Sequence, residues 1–103
     1  MDKKQVREIE WLLKKIKMKY RDAKILLFGS RARGDYLESS DYDLLVLSDD
    51  FENMPFRKRL DEIYELVDRA VNVEIICLTH KEFNKRRNEL SIIKEIAKEG
   101  LVV

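Results

Sequence analysis

An α/β (α+β) fold, a small mixed β-sheet with helices packed on it, is what this sequence predicts. Three short apolar runs, at 24–28, 41–47 and 71–78, have the length and residue types of strands. Segments whose apolar residues recur at spacings of three and four surround them, as helices require. The order is helix, strand, turn, strand, helix, strand, helix, and 103 residues leave room for one domain, 1–103, with one modest core.

Taken in order, the first element is a helix over 2–19, with Val6, Ile9, Leu13, Ile16 and Tyr20 on one stripe. Asp2 with Gln5 three residues on resembles a capping box, and Trp11 lies off the stripe. KILLF, 24–28, is a buried strand ended by Gly29. DYDLLVL, 41–47, is the second; its apolar half does not alternate, so both of its faces are expected to be covered. Pro55 suits the first position of a helix reaching about residue 69, with Phe56, Leu60, Ile63, Val67 and Ala70 facing inward. VNVEIICL, 71–78, is rich in β-branched residues and reads as a strand, with Cys77 on the face of Val73 and Ile75. Thr79 and Glu82 form a second capping box. A last helix spans 89–99, Gly100 stops it, and 101–103 adds an edge strand.

Composition narrows the function. Charged residues reach 40%, against roughly 25% in typical soluble domains, and the Lys and Glu excess is of the kind seen in proteins from hot environments. The opposite charges nearly cancel to a net +1, which argues against broad, sequence-independent nucleic-acid binding. The single cysteine excludes an internal disulfide and suits a reducing compartment. No apolar run approaches the roughly 20 residues of a membrane span, and the charged start is no secretory signal. A soluble, cytoplasmic protein with no membrane partner is expected.

The stretch FGSRARGDYLESSDYDLLVL, 28–47, carries the chemistry. It sets Gly29-Ser30 at the end of one strand, then ten residues, then Asp41-x-Asp43 opening the next. Gly29 lets a phosphate approach the backbone, and Ser30 can cap a short helical turn that runs through Arg33 and ends at Gly34. The free amides of such a turn attract an anion, and the serine hydroxyl adds a donor. The Walker phosphate loop is excluded, because its second glycine and Lys-Ser/Thr pair are missing. Asp41 and Asp43 leave the same face of a strand about 7 Å apart, and two carboxylates so placed repel unless a cation lies between them. Mg²⁺ takes one or two carboxylates together with phosphate oxygens and water. Two such ions stabilise the attacking and leaving oxygens of an in-line displacement. Glu74, an isolated charge inside an apolar strand, is the candidate third carboxylate. At average residue usage four fixed positions coincide about once in 10⁵ starts, so the signal is specific.

Gly29-Ser30, ten residues and Asp41-x-Asp43 resemble the signature of the DNA polymerase beta nucleotidyltransferase superfamily. The short chain and the wording GSRARGD are similar to its smallest members, the minimal nucleotidyltransferases. The resemblance implies a nucleotidyltransferase-like fold and covers most of the chain. It places Gly29 and Ser30 on the triphosphate, Asp41 and Asp43 on both Mg²⁺ ions, and Glu74 where the family usually carries Asp, one methylene shorter. It further implies ATP as substrate and transfer of AMP to a hydroxyl. Relatives are commonly paired with a HEPN-domain toxin, to a tyrosine of which the transferase attaches AMP. From another class comes an antitoxin that neutralises its partner by masking a surface.

Other readings stand beside these. Glu74 can instead face solvent on an edge strand, since Asn72 shares its face. Arg31 and Arg33 either neutralise phosphate or are solvated or paired with Asp35 or Glu38. Tyr36 and Tyr42 flank the site and either stack on a base or pack in the rim. His80 is a solvated first-turn residue, and with no second His or Cys beside it no zinc site is expected. Lys85-Arg86-Arg87 is a solvated helix end. Homo-oligomerisation is left open.

Overall fold

The computed structural model describes residues 4–89 and 91–103. Its elements are α1 (Glu10–Lys19), β1 (Lys24–Phe28), α2 (Gly29–Arg33), β2 (Tyr42–Leu47), α3 (Phe56–Tyr64), β3 (Val73–Leu78), α4 (His80–Arg86), α5 (Ile92–Glu99) and β4 (Leu101–Val102). Short 3-10 helices precede α1 (Lys4–Ile9) and follow β2 (Asp49–Phe51). The sheet order is β3-β2-β1-β4, with β1 antiparallel to both neighbours and β2 parallel to β3. The α/β class with a small mixed sheet is therefore as the sequence predicts.

Alternation along the strands sorts the core into two layers. Ile25, Leu27, Leu44, Val46, Ile75 and Cys77 join Leu12, Leu13 and Ile16 of α1, Phe51 and Ile63 on one face. Leu26, Leu45, Leu47 and Leu78 meet Phe83 of α4 and Ile93 and Ile96 of α5 on the other. The unbroken apolar run in β2 follows from this, because each of its faces is covered. Cys77 packs in the first layer, where burial pushes its thiol up to about 12. The Val103 amide donates to the Ile25 carbonyl at 2.9 Å and continues the edge that β4 begins.

Several expected boundaries move. The first helix opens with a 3-10 turn and becomes α-helical only at Glu10, and the Asp2/Gln5 capping box lies outside the described residues. Thr79 and Glu82 do form theirs: the Thr79 hydroxyl accepts from the Glu82 amide at 3.0 Å and Glu82 accepts from the Thr79 amide at 2.8 Å. The last helix starts at Ile92 rather than 89, with Ser91 before it.

The α3 helix is the largest departure. It ends at Tyr64, not 69, and it is turned about its axis, so Arg59 and Ile63 are its buried residues. Phe56 and Leu60, expected inside, are 49% and 36% exposed, and Ala70 is exposed beyond the helix. An arginine takes the inward position because its partners wait there. Its guanidinium donates to the carbonyls of Met54 (2.8 Å) and Cys77 (3.2 Å) and to Glu82 (2.7 and 3.2 Å). A charge so paired can be buried where a lone one cannot.

The same helix blunts the sheet's edge. Tyr64 and Arg59 bond the backbone of Val73, Ile75 and Cys77, alternate residues whose polar groups point away from β2.

Candidate active site

Pairing across β1, β2 and β3 builds the site. Phe28 lies opposite Asp43 and Asp43 opposite Glu74, so the three form one row on one face of the sheet. Beyond that row the face opens into a cleft of about 570 Å³. Gly29, Ala32 and Arg33 of α2 and Ile92, Glu95, Ile96 and Glu99 of α5 line it.

Gly29 is required by position. Its φ is +73°, and a Cβ there would come 2.3 Å from Asp43 Oδ2, so any side chain would displace that carboxylate. The α2 turn begins at Gly29 with Phe28 before it and no side-chain cap, so Ser30 is not the cap that the sequence suggests. The Gly34 amide donates to the Ser30 carbonyl at 2.9 Å, and Gly34, at φ +89°, ends the turn as expected.

Asp43 is half-buried, while Asp41, just ahead of β2, is exposed. Burial pushes the Asp43 carboxyl above its ordinary pKa, as do the charges of Glu74 and Asp41, while Arg33 pulls it back. Glu74 sits on the edge strand and is exposed rather than enclosed, so the burial cost that first marked it does not apply. Its register opposite Asp43 is what brings it to the cleft. The donor set, carboxylate oxygens beside a bare glycine, suits a hard divalent cation.

Asp41, Asp43 and Glu74 are not the most tightly gathered ligand groups. Among the described residues, the trio whose ligand atoms all lie within 4.8 Å of one another is Asp22, Asp49 and His80, at the opposite end of the sheet. Asp22 accepts from the Ser48 hydroxyl (2.6 Å) and the Asp49 amide (2.7 Å), and His80 Nε2 lies 3.4 Å from its Oδ2. The Asp49 carboxylate in turn accepts from the His80 amide at 3.3 Å. His80 is thus a half-buried partner of Asp22 rather than a plainly solvated residue, which spacing along the chain could not reveal.

The two arginines part company. Arg33 is exposed, lines the cleft and lies 3.4 Å from Asp35. Arg31, expected on phosphate, is 5% exposed and absent from the cleft lining. Its guanidinium donates to the carbonyls of Glu38 (2.9 Å) and Ser40 (3.0 Å) and stacks on Tyr36 and Tyr42, 4.3 and 4.2 Å from their ring centres. It is a strut that shapes the loop between α2 and β2. Tyr42 is buried, and its hydroxyl donates to Glu8 at 2.8 Å, so it stacks on no base. Sequence reasoning missed Tyr64, whose ring lines the cleft; its place on an expected helix carried no signal of that.

Residues 9–103 match the family described as Nucleotidyltransferase domain. Two Methanocaldococcus jannaschii proteins, each named "Putative protein adenylyltransferase", are similar to the chain. One is 38% identical over 85% of this chain and 86% of its own length; the other is 31% identical over 90% and 96%. A solved structure from Sulfolobus solfataricus, described as a "putative nucleotidyltransferase", shares the fold at a TM-score of 0.69 and 24% identity, covering 95% of this chain and 80% of that one. A second structure so described superposes at 0.58 with 29% identity, covering 88% of this chain and 92% of that one. Among the described residues, no helix is long and apolar enough to cross a membrane.

Proposed function

The chain belongs to the nucleotidyltransferase domain family, and from that premise we propose that it transfers AMP from ATP to a hydroxyl of a partner polypeptide. The row Phe28-Asp43-Glu74, with Gly29 pressed against Asp43 at the mouth of a cleft, carries this reading. The matched relatives are named as protein adenylyltransferases, which favours a protein acceptor over a small one.

In this account the triphosphate lies along the α2 turn. The backbone at Gly29, the Ser30 hydroxyl and the Arg33 guanidinium take its oxygens. Asp41 and Asp43 hold two Mg²⁺ ions, with Glu74 as the third carboxylate; when bound, these supply charge neutralisation at the α-phosphate and the departing pyrophosphate. Glu74 also takes the proton of the incoming hydroxyl. Most of the rate comes from alignment and charge. The chain acts as a single catalytic domain in the cytoplasm, with the acceptor brought by a second protein. A HEPN-domain toxin with an acceptor tyrosine is the partner implied by the family.

Incubation of the chain with ATP, Mg²⁺ and a HEPN-domain partner, followed by intact mass of the partner, tests this. A gain of AMP on the partner, at less than one enzyme per partner molecule, supports it. A tight complex with no transfer replaces it with neutralisation by masking.

A further inference from the structure

We infer that the chain is itself an acceptor: Tyr64, in the lining of its own cleft, receives AMP in a self-modifying turnover. This rests on the reading that the cleft transfers AMP to a hydroxyl, and it names one such hydroxyl.

Of the described residues that line the cleft, only Tyr64 carries a hydroxyl; Ser30, set on the triphosphate above, lies outside that lining. It closes α3, and the residue is 39% exposed. The hydroxyl accepts from the Ile75 amide at 3.0 Å and donates to the Val73 carbonyl at 3.4 Å. Those two residues bracket Glu74, which pairs with Asp43, so the phenolic oxygen is pinned beside the acidic row. The donated bond is long against the 2.7–2.8 Å of a good O–H···O contact, yet burial and the nearby Glu74 charge hold the phenol above its ordinary pKa, so the transfer needs a base to take the proton.

The other three tyrosines lie outside the cleft lining. Tyr20 is buried with its hydroxyl on Glu62, Tyr42 is buried with its hydroxyl on Glu8, and Tyr36 lies under the Arg31 guanidinium. An acceptor on the same chain also needs no encounter, an advantage that intramolecular reactions turn into large effective concentrations.

The step balances without an added reagent. Tyr64 Oη forms a bond to the α-phosphorus of ATP, and the bond from that phosphorus to the bridging oxygen breaks. Pyrophosphate leaves with the electron pair, and the phenolic proton passes to the Glu74 carboxylate and on to solvent. Nothing is oxidised or reduced.

The test is purified chain alone with ATP and Mg²⁺, read by pyrophosphate release, intact mass and peptide mapping. The expected result is a single AMP on the peptide holding Tyr64, at a rate per chain unchanged by dilution, and no adduct on Tyr64→Phe or Asp43→Asn. Circular dichroism checks that Tyr64→Phe is folded; if it is not, the wild-type peptide map still decides. An adduct on another residue, or a rate that rises with concentration, overturns the inference. Pyrophosphate released with no adduct also overturns it and leaves the transferase reading standing. Neither product removes both.

Discussion

Where β1 finishes and β2 and β3 begin, Asp43 has Glu74 and Asp41 for neighbours and, among the described residues of the cleft, one cation, Arg33, to offset them. Where β2 and β3 finish, Asp22 is bonded by Ser48 and the Asp49 amide and lies beside His80. The two carboxyls answer in opposite directions. Burial, then Glu74 and Asp41, hold Asp43 above its ordinary pKa. At Asp22 burial is the largest single influence and pulls upward, yet the bonds from Asp49 and Ser48 and the His80 charge together leave it lowered. One end is satisfied by its own residues; the other carries charge that the fold leaves for something else to neutralise. The tighter trio is thus the less functional one in this account, because its groups already have partners.

The comparison breaks most visibly by removing charge at the unsatisfied end. Asp41→Asn with Asp43→Asn should cut AMP transfer by on the order of a thousand-fold. Because Asp43 carries an electrostatic penalty, the melting temperature of the metal-free protein should not fall. Transfer within ten-fold of wild type, measured with labelled ATP, would remove these residues from the chemistry.

At the satisfied end the loss should fall on stability. Glu82→Gln leaves the Arg59 guanidinium, 5% exposed, without its carboxylate, at a cost of about 3 kcal/mol. The hydrogen bonds from Arg59, ahead of any other influence, hold Glu82 below the usual carboxylate range. Its contribution is therefore full above the unfolded pKa and is lost as pH falls through the folded one, so acid should erase the difference between variant and wild type. Urea unfolding across pH measures this.

Gly29→Ala tests the cradle. The positive φ and the 2.3 Å approach to Asp43 Oδ2 should cost about 1–2 kcal/mol of stability and about a hundred-fold in transfer. Equal damage to Gly34→Ala, where a Cβ meets nothing within 4 Å, would trace the effect to backbone strain alone.

The gentlest probe is titration. Carboxyl carbon resonances should show Asp43 taking its proton first as pH falls, and Asp22 well after it. The raised Asp43 penalty is present above its folded pKa and relieved below it; the Asp22 contribution is present above its unfolded pKa and lost below its folded one. Asp22→Asn should cost under about 1 kcal/mol, because the ion pair with His80 is more than a third exposed. The reverse order of titration would dissolve the contrast between the two ends.

What could be read beforehand follows from what each signal measures. Apolar runs reported which strands exist, and the unbroken second half of β2 reported its two covered faces, since burial acts directly on residue choice. The motif spacing put Gly29 at the end of one strand and Asp43 at the start of the next, since the apolar runs mark where each strand lies; that the two ends face each other is set by the antiparallel register. Pattern failed where a polar group is buried with a partner distant in sequence. Arg59 turned α3 away from its apolar stripe because Glu82 and the Cys77 carbonyl await it, and Arg31 left the phosphate side for the loop carbonyls and two tyrosine rings. The pairing of Glu74 with Asp43 depends on strand register, which one strand cannot report for another.

A paramagnetic ion tests the central claim most directly. Mn²⁺ accepts the oxygen ligands that suit Mg²⁺ and broadens the resonances of nearby amides. With ATP and sub-stoichiometric Mn²⁺ added to isotope-labelled protein, broadening should centre on Gly29, Asp43 and Glu74 while Asp22, Asp49 and His80 stay sharp. Broadening centred on Asp22, Asp49 and His80 instead would place the metal at the wrong end of the sheet and contradict the account.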